Sequence, residues 1–235
     1  MEFYLFFLRW IHFLAGIVWI GLLYYFNFVQ TPFFAEAEAN VRSAAIQKLV
    51  PRALWWFRWS AMVTFLAGIL IYVHQWGAMG TSVFFTQSYG LAITAGGLLG
   101  TLMFLNVWLV IWPKQKIVIA SATQVAKGGQ ALPQAAAAGR RAALTSRTNV
   151  VFSIPMLFYM GAASHYRALV QSPTGAGLAW WAIIGLVVLG LLELNALVGS
   201  QGLTKKPLDT VSGALWSGFI LAAILYLLFL VSLRG

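Results

Sequence analysis

The sequence predicts an all-α membrane protein, a polytopic bundle of about six transmembrane helices. Hydrophobic residues make up 61% of the 235 residues and charged residues only 9%, whereas a soluble domain carries about 25% charged residues. Apolar stretches of about 20 residues recur, and each is long enough to cross a hydrocarbon core as a helix. The first stretch is too long for a signal peptide and has no small-residue cleavage site, so we expect it to be retained.

The predicted spans follow one another along a single membrane domain, residues 1–235. They cover about residues 3–30, 53–76, 88–112, 149–165, 178–199 and 211–233. Between spans one and two we expect a short interfacial helix that ends at Pro51. The amphipathic connection 113–148 is expected to extend spans three and four as helices, with a break at "KGGQALP".

Basic residues predict the orientation of these spans. Twelve of the fifteen lysines and arginines fall in or beside connections one, three and five, and Arg9, Arg167 and Arg234 fall on the other side. Because basic residues concentrate in cytoplasmic loops, both termini are predicted to lie outside, in a bacterial inner membrane. This bias accounts for the net charge of +10. The sequence has no recognition motif for nucleic acid, so we exclude that partner.

All three histidines fall in the outer half of the predicted bundle. His12 lies within span one, His74 near the outer end of span two and His165 at the outer end of span four. Ionisable side chains inside a span are costly and indicate a functional interior. The chain has no cysteine, so a haem would be held non-covalently. We predict haem b with His12 and His165 as the axial pair, and His74 as a substitute or second-site ligand.

Small residues beside two of the histidines favour a flat cofactor. At 100° per residue, His12, Gly16 and Trp19 share one face of span one. In span four, Gly161 lies four residues before His165. A porphyrin needs a small residue next to its axial ligand, and an aromatic side chain can cover its edge. Glycine also occurs at ordinary helix packing contacts, so these glycines are compatible with a structural role.

Arginines at the outer side could neutralise the propionates of such a haem. Arg9 stands one turn further out than His12, and Arg167 follows His165 closely. Two alternatives remain for the histidines. They could form a three-histidine copper or zinc site, or His12 could hold two helices together by a hydrogen bond.

Other polar residues predict no further catalytic site. Glu193 in span five is a proton-path residue or, as we favour, a hydrogen bond between helices. No phosphate-binding loop is present. Asp209 lies on the opposite side from the histidines, which excludes a Ser–His–Asp triad. An arginine-and-glutamine clamp for a polar ligand is also missing, since Gln75 and Gln87 beside Arg167 are the only outer candidates.

Four stretches carry a family resemblance: "RWIHFLAGIVWIGLLYYFNFVQTP", "WWFRWSAMVTFLAGILI", "NVWLVIWPKQK" and "SRTNVVFSIPMLFYMGAASH". In this order they resemble the N-terminal membrane domain of bacterial membrane-bound (PuuD-type) urate oxidases. Full-length members join that domain to a C-terminal c-type cytochrome, so the resemblance implies electron transfer from urate to a cytochrome. This chain ends at Gly235 with no cytochrome, and we expect any such partner to be a separate protein.

Three functions follow from these features. The first is a membrane b-type haem protein that moves electrons from a membrane donor, such as quinol, to a periplasmic acceptor such as cytochrome c. The second is an oxidase of urate or a related substrate that works with a detached cytochrome. The third is an accessory or assembly subunit of a respiratory complex, in which the histidines are structural.

Overall fold

Helices form nearly all of the chain in the computed structural model, which describes residues 2–166, 169–170 and 173–233. The longer helices are α1 (Glu2–Tyr24), α3 (Ala39–Lys48), α4 (Val50–Met79), α6 (Ser88–Leu105), α7 (Trp112–Ala126), α8 (Ala135–His165), α9 (Gly175–Leu197) and α11 (Val211–Leu233). The short ones are α2 (Thr31–Glu36), α5 (Thr81–Phe84) and α10 (Lys206–Asp209). No strand occurs in the described ranges, so the all-α prediction is confirmed.

Five helical stretches are long and apolar enough to cross a membrane. They are Glu2–Glu36, Val50–Met79, Ser88–Ala126, Gly175–Leu197 and Val211–Leu233. Large apolar side chains remain exposed along them, as expected where lipid replaces water. The chain is therefore a membrane protein with the predicted polytopic helical bundle.

Helix α8 is the central helix and contains the fourth predicted span. It packs against α1, α6, α7, α9, α10 and α11. Its apolar stretch is interrupted by the buried polar side chains of Thr148, Asn149 and Ser153. A helix surrounded by other helices tolerates such residues, because neighbouring helices and not lipid surround them. Pro155 lies inside α8, whose helical course continues on both sides of it.

Two π-helical segments interrupt the membrane helices at similar places. One covers Tyr25–Gln30 and ends with a bond from the Thr31 N–H to the Phe26 carbonyl. The other covers Asn106–Ile111. Each is followed closely by a proline, Pro32 or Pro113, which cannot donate a backbone hydrogen bond. The wider π turn accommodates the backbone hydrogen bond that the proline cannot donate. Segments of this kind are frequent at functional sites.

The third and fifth connections meet at one end of the bundle. Arg140 pairs with Asp209 at 2.6 Å and donates to the Ser200 carbonyl at 3.0 Å. Arg141 donates to the Ala196 carbonyl. The Lys205 ammonium is buried, which lowers its pKa, and the neighbouring arginines lower that pKa further. We call this end, where Arg140, Arg141, Lys205 and Asp209 meet, the basic end; the charge bias predicts that it faces the cytoplasm.

Candidate functional site

His12 lies in the contact between α1 and α4 and is half-buried there. Its Nδ1 is 2.8 Å from the carbonyl oxygen of Thr64. A carbonyl oxygen can only accept, so Nδ1 carries the proton of the neutral ring. Nε2 then keeps its lone pair. A backbone hydrogen bond that fixes the tautomer in this way is typical of metal-binding histidines.

The glycine closest to the His12 ring is Gly68 on the facing helix. A Cβ atom at Gly68 would lie 3.1 Å from Cε1 of His12, so only glycine leaves this space without moving the ring. A Cβ at Gly16 would instead meet Thr64 Cγ2 at 3.8 Å, which is ordinary packing. The sequence contained a signal for this close approach of α1 and α4, because the pentapeptide "FLAGI" occurs in both helices. Small residues on both helices allow close packing.

The other two histidines differ in their surroundings. His74 is half-buried near the end of α4, and its ring centroid is 6.0 Å from that of Tyr4 on α1. His165 is exposed at the end of α8. Among the described residues, no hydrogen bond or ring contact joins His165 to His12. The structure thus brings His12 and His74 to one helix pair and leaves His165 on another helix.

The predicted neighbours of the histidines fall in different environments. Arg9 is exposed and interacts with the hydroxyl of Tyr89 on α6. Gly161 is exposed, and a Cβ atom added there would have no neighbour within 4 Å. Trp19 is buried, and its indole nitrogen has no hydrogen-bond partner in the described part of the chain. Arg167 lies outside the described residues. No group of three or more His, Cys, Asp or Glu side chains gathers in those described.

A second polar region lies towards the basic end, around Asn27 in the first π-helical segment. Asn27 Nδ2 donates to the Leu23 carbonyl and to Ser146 Oγ, both at 2.8 Å. Its Oδ1 accepts from Arg147 Nε at 2.8 Å. Both Asn27 and Arg147 are buried. The bonds with Ser146 and Arg147 connect the end of span one to the central helix.

Asn106 in the second π-helical segment makes a similar connection. Its Nδ2 donates to Asn149 Oδ1 at 2.9 Å and to Glu193 Oε2 at 3.0 Å. Asn149 Nδ2 in turn donates to the Met103 carbonyl at 3.0 Å. Glu193 therefore takes part in the hydrogen bond between helices that we favoured for it from the sequence.

A cavity of about 230 Å³ opens beside Arg147. Two of the buried polar atoms on its lining residues, Arg147 Nη1 and Gln30 Oε1, have no hydrogen-bond partner in the described chain. The Arg140–Asp209 ion pair lies at its edge. Its lining also includes Phe26, Asn27, Thr31, Val50, Leu54, Phe57, Ile111, Gln115, Ala142, Ala143, Ser146 and Leu208. We call this space the arginine cavity.

Sequence comparison identifies one relationship. A family model described as urate oxidase N-terminal matches residues 72–227, which is more than half of the chain. The matched stretch contains His74, His165 and Arg147, and it begins after His12. No curated protein and no solved structure matches the chain.

Proposed function

The chain belongs to the urate oxidase N-terminal family, and from that premise we propose that it is a membrane-embedded b-type haem protein. It transfers electrons from a membrane donor, such as quinol, to a periplasmic acceptor such as a separate cytochrome c. The site lies in the outer half of the bacterial inner membrane. This direction suits the predicted orientation, in which the histidines face the periplasmic side.

The environment of His12 is the observation that supports this proposal most. The Thr64 carbonyl holds the ring through Nδ1 and leaves Nε2 able to bind iron. The hydrogen bond also makes the imidazole a more basic ligand. A histidine within an apolar span is energetically unfavourable. One backbone hydrogen bond at a half-buried position offsets only a small part of that free energy, so iron binding is the better explanation for the residue.

The remaining residues would orient and neutralise the cofactor. His165 is the favoured second ligand and His74 the substitute. The open space around Gly161 leaves room for a ring edge beside His165. Arg9 can neutralise a propionate while it stays near Tyr89. Haem b bound by two imidazoles supplies a one-electron iron couple with no open position for oxygen.

Difference spectra test the haem and its ligands together. We would express the protein with ample haem supply, purify it in detergent and record reduced-minus-oxidised spectra. The wild type should show a b-type signal, and His12→Ala should lose it. His165→Ala should weaken and shift it, because His74 is the substitute ligand, and the double variant His74→Ala/His165→Ala should lose it. Asn40→Ala, an exposed control on α3, should keep it.

Two results would contradict the proposal at different points. The lack of any b-type signal in haem-replete wild type rejects the haem. A normal signal in His12→Ala rejects the ligand assignment but leaves a haem protein.

A second candidate function is the oxidation of urate with a detached cytochrome, and the family match favours it. Its test is the reduction of added cytochrome c by membranes that contain the protein, with and without urate. Reduction that depends on both urate and the protein supports this function. Equal rates with and without urate contradict it.

A further inference from the structure

The geometry points to a second ligand site, the arginine cavity, which binds a small carboxylate that also carries an N–H or O–H donor. Nothing in the haem proposal uses this cavity, because its residues lie towards the basic end. Four observations carry the inference: an uncompensated buried charge, two unpaired polar atoms, the apolar part of the wall, and the size and position of the space.

The buried charge is that of Arg147. The residue is only 6% exposed, and its Nε bonds to the neutral amide of Asn27. In the part of the chain that the structure describes, no carboxylate forms an ion pair with it. Asp209 attracts it from a distance but already pairs with Arg140 at 2.6 Å. A buried cation without a counter-ion is strongly unfavourable, so an anion bound next to it would be stabilised.

The unpaired polar atoms define what that anion must offer. Arg147 Nη1 is a buried donor, and Gln30 Oε1 is a buried acceptor; neither has a partner among the described residues. A carboxylate oxygen can accept from the guanidinium in a charge-assisted hydrogen bond. A hydroxyl or amino group on the same molecule can donate to Gln30.

The rest of the wall favours an organic anion over an inorganic one. Phe26, Leu54, Phe57 and Ile111 contribute apolar surface. Phosphate would leave this surface without contacts, whereas an aromatic or branched body would cover it. The volume of about 230 Å³ lies below the roughly 300–1,000 Å³ of drug-sized sites. A molecule the size of a hydroxybenzoate is therefore the appropriate class.

The position of the cavity indicates the side from which the ligand enters. Arg140 and Asp209 at its edge are both partly exposed, with side-chain exposures of 34% and 45%. Arg141 and Lys205 lie at the same end of the bundle. Their positive field raises the local concentration of anions. By the predicted orientation, the ligand comes from the cytoplasm.

Titration of the purified protein tests this site. We would measure the binding of 4-hydroxybenzoate, benzoate and inorganic phosphate by calorimetry. The wild type should bind 4-hydroxybenzoate best, benzoate several-fold more weakly and phosphate least. Arg147→Met should weaken the binding of both benzoates at least about tenfold, which is the loss of one charge-assisted hydrogen bond. Arg42→Met, an exposed arginine on α3 away from the cavity, should bind as the wild type does.

Gln30→Leu keeps the test decisive if Arg147→Met fails to fold. This variant should weaken the binding of 4-hydroxybenzoate several-fold and leave the binding of benzoate unchanged, because only 4-hydroxybenzoate can donate a hydrogen bond to Gln30. Failure of the wild type to bind any carboxylate overturns the inference. Unchanged binding by folded Arg147→Met overturns it too, and so does phosphate binding as tight as that of the benzoates. None of these readouts depends on haem.

Discussion

The histidine region and the region around the arginine cavity both place polar side chains inside an apolar bundle, but His12 and Asn27 differ in how many hydrogen bonds they make. Asn27 makes three hydrogen bonds, and two of them, with Ser146 and Arg147, join the end of span one to α8. His12 has one hydrogen bond, to a backbone carbonyl. A polar residue with many partners contributes to the fold itself. One with a single partner and a free ring nitrogen is better explained by a ligand.

The largest expected effect is at Asn27. Asn27→Leu removes three hydrogen bonds and leaves the Arg147 guanidinium with no partner in the described chain, so we expect a loss of about 3 kcal/mol in unfolding free energy. Titration with a denaturing detergent measures it. The matched control Asn40→Leu changes an exposed residue that bonds only to the next backbone amide, and should stay within about 0.5 kcal/mol of wild type. Equal losses of unfolding free energy in Asn27→Leu and Asn40→Leu would contradict the structural role assigned to Asn27.

The next effect separates two roles for Glu193. Glu193→Leu removes one of the two acceptors of Asn106 Nδ2 and should cost about 1.5 kcal/mol. Glu193→Gln keeps an acceptor oxygen at the same place and should cost less than about 0.5 kcal/mol. The same unfolding measurement applies. If both variants keep full stability but lose electron transfer, Glu193 belongs to a proton path and not to the helix contact.

A smaller effect is expected at His12. His12→Phe removes one hydrogen bond to the Thr64 carbonyl and keeps a ring of similar size in the α1–α4 contact. We expect a loss of about 1 kcal/mol in the haem-free protein. Unfolding of haem-free wild type and variant, compared side by side, gives the value. A loss as large as that of Asn27→Leu would show that His12 is structural and would remove the contrast between the two regions.

The smallest effect on stability is expected at Gly161. Nothing lies within 4 Å of a Cβ at this position, so Gly161→Leu should change the unfolding free energy of the haem-free protein by less than about 0.5 kcal/mol. If a porphyrin edge lies beside His165, the same variant should bind clearly less haem in the difference spectrum. Gly161→Ala, a smaller change, should bind an intermediate amount. Full haem content in Gly161→Leu would place the cofactor elsewhere.

Much of the fold was predictable because it depends on local composition. Apolar runs and the distribution of lysine and arginine predict a polytopic bundle without knowledge of any contact. The fourth predicted span was the least regular, because the polar residues of α8 are satisfied by neighbouring helices. Hydropathy along the chain does not record such partners. Periodicity likewise placed His12 on the glycine face of span one, but it could not identify Gly68 on the facing helix.

The arginine cavity was not predictable for a related reason. Gln30 and Arg147 are more than a hundred residues apart in the sequence. The charge pattern assigns Arg147 to the third connection, although α8 extends back to Ala135 and buries it. The candidates for a polar clamp likewise lay on the outer side, near Arg167. Only the folded arrangement brings Arg147, Gln30 and the apolar side chains of the wall around one space.

The first π-helical segment lets span one absorb a change in length between its two regions. A π turn holds one residue more than an α turn, so Tyr25–Gln30 contains one residue that an uninterrupted α-helix would not need. Loss of one residue there can close the turn to an α turn, whereas the same loss elsewhere in the helix would rotate everything beyond it by about 100°. A single codon could thus be lost at this place while His12 and the residues after the segment keep the sides of the helix that they face now.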